Sequence, residues 1–393
     1  MDGPVFHLNP AGRLANLMIE YMVALKFAHM VKGCRISNIS MPAWGIDHPP
    51  IDSPGPVAVE KREQHIDLPA LADMTWSARI RRVEWTGFGQ RMENFLPSER
   101  YQDVFVSPFT EPMGYGPEYL VCPIRAEDIL HAPHPDYVLT PVEFYREVAD
   151  LTGLRPVFVG QTHPCLYMDR IRKAFPEAIV RDHNPDPLVE FETIRQSQNL
   201  VIGVSTFNWL AAWLSRSADN IFLAVSGLYN PMQKSNVDLL PFGDARYKLF
   251  LFPINYAIPQ ERHAEAHRQI APYWRQMPHE TLRQQFAAAP RFPRDLNQAL
   301  AVFDEAFYID VNKDLAAVAA AQNLGPGFGR AHFARHGFPE RRSPMRFDPA
   351  WYAGQYPLAA FEVAQGDYLD LEHHYAAIGR VRGYRPYPPE PRT

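Results

Sequence analysis

Leu200-Val-Ile-Gly-Val-Ser-Thr-Phe-Asn-Trp-Leu-Ala-Ala-Trp-Leu214 reads as two elements joined at one hinge. Leu200 to Val204 is a short, nearly unbroken apolar run, the pattern of a strand buried on both faces. At Ser205-Thr206 the chain turns into an apolar helix. A helix N-terminus leaves backbone N–H groups without partners and carries partial positive charge, so it can receive a phosphate. Two hydroxyl residues there add donors of their own. The same serine or threonine also suits a plain helix cap. The neighbouring segments bear on that choice.

From about Tyr119 to Val225, strand and helix patterns alternate. Tyr119 to Ile124 is a strand candidate. Thr140-Pro-Val-Glu143 has a capping-box pattern with proline at the first helical position, and Gly153 closes that helix. Pro156 to Gly160 is the next strand and Leu166 to Phe175 the next helix. A short strand, Ala178 to Val180, follows. Asp186-Pro187 opens a helix running towards Gln198, and Asn220 to Val225 ends the series. Repeated βαβ units of this kind predict a parallel sheet covered on both faces.

The N-terminus begins in the same way. Pro4 to Leu8 is a strand, Asn9-Pro10-Ala11-Gly12 a turn, and the following helix places Leu14, Leu17, Met18, Tyr21, Met22, Leu25 and Ala28 on one face. Cys34 to Ile39 is a second strand candidate, and residues 42–66 are Pro-rich and irregular. The expectation is an α/β protein with two Rossmann-like domains facing each other across a cleft, followed by a small, mostly helical repeat region.

That region shows itself by repetition. Phe303-Asp-Glu-Ala-Phe-Tyr308 recurs as Phe347-Asp-Pro-Ala-Trp-Tyr352, and His332-Phe-Ala-Arg-His-Gly337 as His374-Tyr-Ala-Ala-Ile-Gly379. Each copy ends in a proline, Pro344 and Pro386. The copies share no full ligand set, so their histidines, including Glu372-His373-His374, read as packing and hydrogen-bonding groups rather than metal ligands. Gly325-Pro-Gly-Phe-Gly329 follows no strand and is not taken as a phosphate loop. The module could also dock a protein partner.

Composition narrows the field. The chain has 393 residues, 46% hydrophobic and 21% charged, as in a soluble globular protein with two or three domains. A net charge of −5 without a Lys/Arg run speaks against nucleic acid as a partner. Cys34, Cys122 and Cys165 are odd in number and widely spaced, which fits neither a disulfide framework nor a metal site and favours a reducing compartment. The N-terminus has no signal-peptide pattern, and no segment is apolar enough to be a transmembrane segment. A cytoplasmic location is the expectation.

Three short patterns carry chemistry: Gly12-Arg13-Leu14-Ala15-Asn16, Ile124-Arg125-Ala126-Glu127-Asp128, and Ser205-Thr206-Phe207 with Trp209, Ala211, Ala212 and Trp213. In order and context, over about residues 1–260, they resemble the signatures of the fucosyltransferase superfamily, which includes α1,2-, α1,6- and protein O-fucosyltransferases. The resemblance implies a GT-B fold and metal-independent, inverting transfer from a GDP-linked sugar to a glycan acceptor, with no further cofactor and no metal. It implies an acceptor-side domain over 1–117 and a nucleotide-sugar-binding domain over 118–260. A helical linker over 261–299 and the repeat module over 300–393 follow.

On that resemblance, Arg125, Asn16 and Asp128 are the candidate catalytic residues. Gly12, Arg13, Arg125, Ser205, Thr206 and Phe207 are the candidate donor-binding residues. Without a metal, the charge on a departing diphosphate must be met by cations, N–H groups and hydroxyls, and a guanidinium grips phosphate at two points. Each residue also has a plainer role. Arg125 pairs with Asp128 or Glu127, Asp128 orients Arg125 or acts as a base, and Arg13 is a second cation or simply solvated. Asn16 closes a helix end, or orients the acceptor or touches the leaving phosphate. Gly12 is a turn, or room for a ligand. Pro123 and Glu127 stand where the family has His and often Gly, Asn208 and Leu210 where it has Ser and Trp. Those departures keep two other functions in view: a nucleotide-sugar or glycan-binding protein without turnover, and an interaction protein acting through its repeats.

Overall fold

The computed structural model describes residues 3–61, 64–131, 134–322 and 324–389. It is a mixed α/β structure with two parallel sheets. The first is built from β1 (Val5–Leu8), α1 (Leu14–Met30), β2 (Arg35–Ser37), a hairpin of β3 (Ile39–Met41) and β4 (Ile46–His48), β5 (Val57–Lys61), α2 (Leu68–Trp76) and β6 (Arg82–Thr86). The four sheet strands run in the order β2-β1-β6-β5, all parallel. A short α3 (Glu99–Gln102) leads out of this half.

The second half follows as β7 (Tyr119–Ile124), α4 (Glu127–Leu130), α5 (Val142–Thr152), β8 (Arg155–Gly160), α6 (Leu166–Ala174), β9 (Ile179–Val180), α7 (Pro187–Arg195), β10 (Asn199–Ile202), α8 (Thr206–Trp213), β11 (Asn220–Val225), β12 (Tyr247–Leu251), α9 (His263–Ile270) and β13 (Arg275–Met277). Its sheet has the order β13-β12-β11-β10-β7-β8-β9, and only β13 is antiparallel. Each parallel sheet reverses its winding once. In the first, the chain moves from β1 outward to β2 and returns on the other side through β5 and β6. In the second it moves from β7 to β8 and β9, then returns to β10 on the far side of β7. Where winding reverses, the loops leaving two adjacent strands part in opposite directions and open a crevice. Those crevices lie after β1 and β6, and after β7 and β10.

Three expectations need correction. The Pro-rich 42–66 stretch is not irregular throughout: it holds β4 and β5. Proline blocks ladder pairing only where its missing N–H is needed, and Pro54 and Pro56 precede an edge strand that pairs with β6 alone. The capping box at Thr140 does not form. Pro141 is the N-cap of α5 with no side-chain bond, because the Thr140 hydroxyl is packed over Gly203 on β10's exit, where any Cβ would collide with it. The stretch 261–299, expected as a helical linker, adds a strand to the second sheet: β13 pairs with β12.

The halves share one core, dominated by helix on helix. α1 lies against α8. Trp209 and Trp213 stack at 5.5 Å, with Phe95 and Tyr101 of the first half packed within 6.0 Å of Trp213. The Trp209 indole N–H donates to the Leu239 carbonyl at 2.7 Å, so a fully buried ring leaves no polar atom unpaired.

The repeated tail is helical. Asp304 and Asp348 cap equivalent helices, accepting from the N–H of Phe307 at 3.0 Å and Trp351 at 2.9 Å. Tyr308 meets His332 Nδ1 at 3.1 Å, and Tyr352 meets His374 Nδ1 at 2.9 Å. The N–H groups of Asp304 and Asp348 close each copy on the carbonyls of Pro344 and Pro386. Gly327 and Gly329 donate to the Glu305 carboxylate, so the chain's own acid fills the Gly-rich loop. The second copy spends its apolar face within the chain. Ala359, Ala360 and Ala364 are fully buried, and the Ile254 N–H donates to the Ala360 carbonyl at 3.0 Å.

Replacing Trp209 by Ala removes the central ring of the junction and its hydrogen bond. The expected cost is about 3–5 kcal/mol, read from urea unfolding.

Candidate functional site

Both crevices open onto one cavity of about 600 Å³, within the range of small-ligand pockets. The residues singled out in the sequence all line it: Gly12, Arg13 and Asn16 from the exit of β1, Arg125 and Asp128 from the exit of β7, and Ser205, Thr206 and Phe207 from the exit of β10. They come together because parallel strands end on the same edge of a sheet, so every loop that follows such a strand emerges on one side.

On the β1 side, Gly12 has φ +88°, and a Cβ there would stand 2.4 Å from Asn16 Nδ2. Glycine is required on both counts: the left-handed backbone, and the carboxamide lying over it. Arg13 precedes α1 without capping it, so the first-turn N–H groups of α1 have no side-chain cap. Behind this turn sits Glu20, almost wholly buried, whose two oxygens each lie 3.2 Å from the Ala11 N–H. Burial with so little compensation pushes its carboxyl up to about 8.

On the β7 side, Asp128 accepts from Arg125 Nε at 3.2 Å and Nη2 at 2.6 Å, the two-point grip of a carboxylate on a guanidinium. The guanidinium carbon lies 4.2 Å from the centre of the Tyr137 ring. Burial opposes both charges, yet each partner outweighs it: the Asp128 carboxyl sits below its ordinary range and the Arg125 guanidinium above its own. Gln161 Oε1 accepts from the N–H groups of Ala126 and Glu127 at 2.8 and 3.0 Å, which pins the loop that carries Arg125.

On the β10 side, both hydroxyls have work inside the chain. Ser205 Oγ accepts from the Asn208 N–H at 3.3 Å, the helix cap that was the plainer expectation, and keeps only its own proton to donate. Thr206 Oγ1 donates to Asn16 Oδ1 at 3.4 Å, tying α8 to α1. The expectation of two free hydroxyl donors therefore changes. What this end offers is the Ser205 proton and the main-chain N–H groups of Thr206 and Phe207, which find no partner among the described residues.

The balance of charge in the cavity follows from these contacts. Asp128 is spent on Arg125, Glu190 makes an ion pair with Arg181 at 2.7 Å, and Glu127 lies 3.1 Å from His163. The Arg13 carbonyl accepts from the N–H groups of Asn16 and Leu17, while its guanidinium makes no close hydrogen bond or ion pair among the described residues and helps hold the Asp128 carboxyl below its ordinary range. Two lining carboxylates held by arginines, a guanidinium without a close partner and two helix N-termini suit a bound anion. No group of three or more His, Cys, Asp or Glu side chains that could hold a metal occurs among the described residues.

Gln161 and His183, which line the cavity, and Gln90, which lies behind Asn16, escaped the sequence as site residues. Gln161 stood at a strand's carboxyl end, the one signal that could have found it. His183 shares the wall, with Nδ1 at 2.9 Å from the Gly160 carbonyl and its ring 4.8 Å from His163. Its partner is distant in the chain, and no local pattern marks it. Gln90 Nε2 donates to Asn16 Oδ1 at 3.3 Å from the exit of β6, a strand the sequence did not reveal.

No known family model matches the chain, and no curated protein matches it. Among the described residues, no helix is long and apolar enough to cross a membrane.

Glu20 generates a pH prediction. Its proton is held in the folded state up to about pH 8 but lost from the unfolded chain near 4.5. Folding therefore binds a proton across that window, and stability falls as pH rises through it. Glu20→Gln abolishes this dependence, so the melting temperature of the variant relative to the wild type should climb steadily from pH 5 to pH 8.

Proposed function

We propose that this protein is a metal-independent glycosyltransferase of the fucosyltransferase-like, GT-B type, which moves a sugar from a nucleoside diphosphate to a glycan acceptor. The observation that carries this reading is the convergence of the Gly12–Asn16, Arg125–Asp128 and Ser205–Phe207 segments on one cavity between the ends of two parallel sheets. Strand order alone brings the exits of β7 and β10 together; the support for one ligand is that the Gly12–Asn16 turn, from the other sheet, lines the same cavity.

The chemistry fits the groups present. In glycosyl transfer the acceptor oxygen bonds to the anomeric carbon as the bond from that carbon to the diphosphate breaks, and negative charge gathers on the departing phosphate. Arg125 is held rigid at the cavity wall by Asp128 and Tyr137. Arg13 faces it from the other half. Between them, the N–H groups at the starts of α1 and α8 supply donors that need no rearrangement as charge develops. Asn16 lies at the junction of the two halves, in reach of diphosphate and acceptor alike.

A nucleotide-sugar-binding protein without turnover is the second candidate, favoured by the pairing of Asp128 with Arg125 and of Glu190 with Arg181, which leaves the half-exposed Glu127 as the one lining carboxylate without an arginine partner to take the acceptor's proton. Binding and turnover separate the two. GDP, UDP, GDP-fucose and related nucleotide sugars should be screened by thermal shift, since a ligand of the folded state raises the melting temperature by mass action. The transferase reading expects a nucleoside diphosphate to raise it and the matching sugar nucleotide to be consumed. Arg125→Ala should then slow consumption by about 100-fold or more while the protein stays folded. Unchanged turnover in that variant sinks the mechanism, and binding without consumption favours the second candidate.

A further inference from the structure

A chain of three carboxamides, two of them buried, ends at the half-buried Asn16, and its hydrogen-bond polarity is set from one end. The Gln90 backbone N–H donates to Gln64 Oε1 at 2.8 Å. A backbone N–H cannot accept, so the Gln64 carboxamide has one possible orientation, with its nitrogen turned away. That nitrogen donates to Gln90 Oε1 at 3.4 Å, which fixes the Gln90 carboxamide in turn. Gln90 Nε2 then donates to Asn16 Oδ1 at 3.3 Å, where Thr206 Oγ1 also donates. With its oxygen doubly engaged, Asn16 has only Nδ2 left, lying over Gly12 at the cavity wall with no partner among the described residues. Asn94 steadies the chain by donating to the carbonyls of Gln64 and Gly89 at 3.2 and 3.1 Å.

Buried amides at such a place are costly unless every group is satisfied, and apolar side chains would fill the same space without that demand. What the amides supply is direction. The Gln90 main chain is itself bolted to the second half, its carbonyl accepting from the Asp238 N–H at 3.1 Å. One residue thus joins the halves and orients the Asn16 side chain that lies between them.

We infer that Gln90 is a positioning residue, which, backed by Gln64, turns the Asn16 carboxamide so that its N–H2 group faces the diphosphate of a bound ligand. This rests on the transferase-type reading of the cavity, and concerns the anion-binding step alone. Neither glutamine touches the ligand.

The test uses inorganic pyrophosphate as the probe and calorimetric titration of the full chain, with no activity required. Asn16→Ala removes the donor and should weaken binding about tenfold, the usual effect of one hydrogen bond to a charged group. Gln90→Met should weaken it to a similar degree, and the double variant should bind no worse than Asn16→Ala alone, since both changes act through one carboxamide. If Gln90→Met does not fold, Gln90→Glu keeps the bond from Gln64 while losing the donation to Asn16. Any effect of its added charge persists in the Asn16→Ala background, whereas the positioning effect vanishes there. Wild-type affinity in Gln90→Met beside a weakened Asn16→Ala overturns the inference and leaves the cavity reading standing, as do fully additive losses. A wild-type protein that does not bind pyrophosphate overturns the cavity reading and this inference with it.

Discussion

The structure turns on the packing of α1 against α8. Each helix follows a central strand of a parallel sheet, so each begins at the sheet edge where functional loops collect. Laying one helix along the other, around the Trp209–Trp213 stack, sets the two sheet edges face to face. The cavity is the space left between them. Its lining comes from loops whose positions are dictated by strands on either side, which is how weakly structured segments hold side chains in a defined array. The Thr206–Asn16 contact, at the very start of both helices, closes this junction at the cavity itself.

Charge in the cavity is arranged rather than merely present. Arg125 is neutralised at short range by Asp128, and the pair stays ionised because each partner overcomes the penalty of burial. A guanidinium gripped on two of its nitrogens cannot swing, so whatever it offers a ligand it offers from one position. Arg13 on the opposite wall makes no such pair. The fixed guanidinium of Arg125 and that of Arg13, which makes no close ion pair, line one cavity from two halves of the chain. The buried amides behind Asn16 belong to the same design: neutral groups give direction without adding charge.

Much of the second half was legible in the order of its residues. All five strand runs from Tyr119 to Val225 form strands within two residues of their expected ends, and the central ones stand out because both faces of a central parallel strand are buried and its sequence must be apolar throughout. The helix Leu14–Met30 and the repeated helical tail followed from periodicity and repetition, although α1 buries Ile19, Val23, Ala24 and Phe27 more completely than Leu14, Leu17, Leu25 and Ala28 of the face assigned to it. The misses share a cause. β5 is an edge strand with prolines in front of it, β6 carries charged residues at alternate positions, and β13 is three residues long. β5 and β13 bury little apolar surface, and β6 buries only Val83 and Trp85 between charged residues, an alternation too short to stand out in the sequence. Thr140 carried a cap signature, yet packing against Gly203 claimed its hydroxyl.

Local pattern was sufficient to show an α/β chain with a repeated helical tail, and to single out three segments at strand ends as places for chemistry. Spacing along a strand or helix is a short-range property, and the burial that shapes it acts residue by residue. It could not tell whether those segments meet, what Ser205 and Thr206 do with their hydroxyls, or that Gln64 and Gln90 matter at all. Those outcomes depend on strand order and on the angle at which two helices cross, which join residues far apart in the chain. A glutamine's partner is chosen in space, and nothing in its immediate neighbours records that choice.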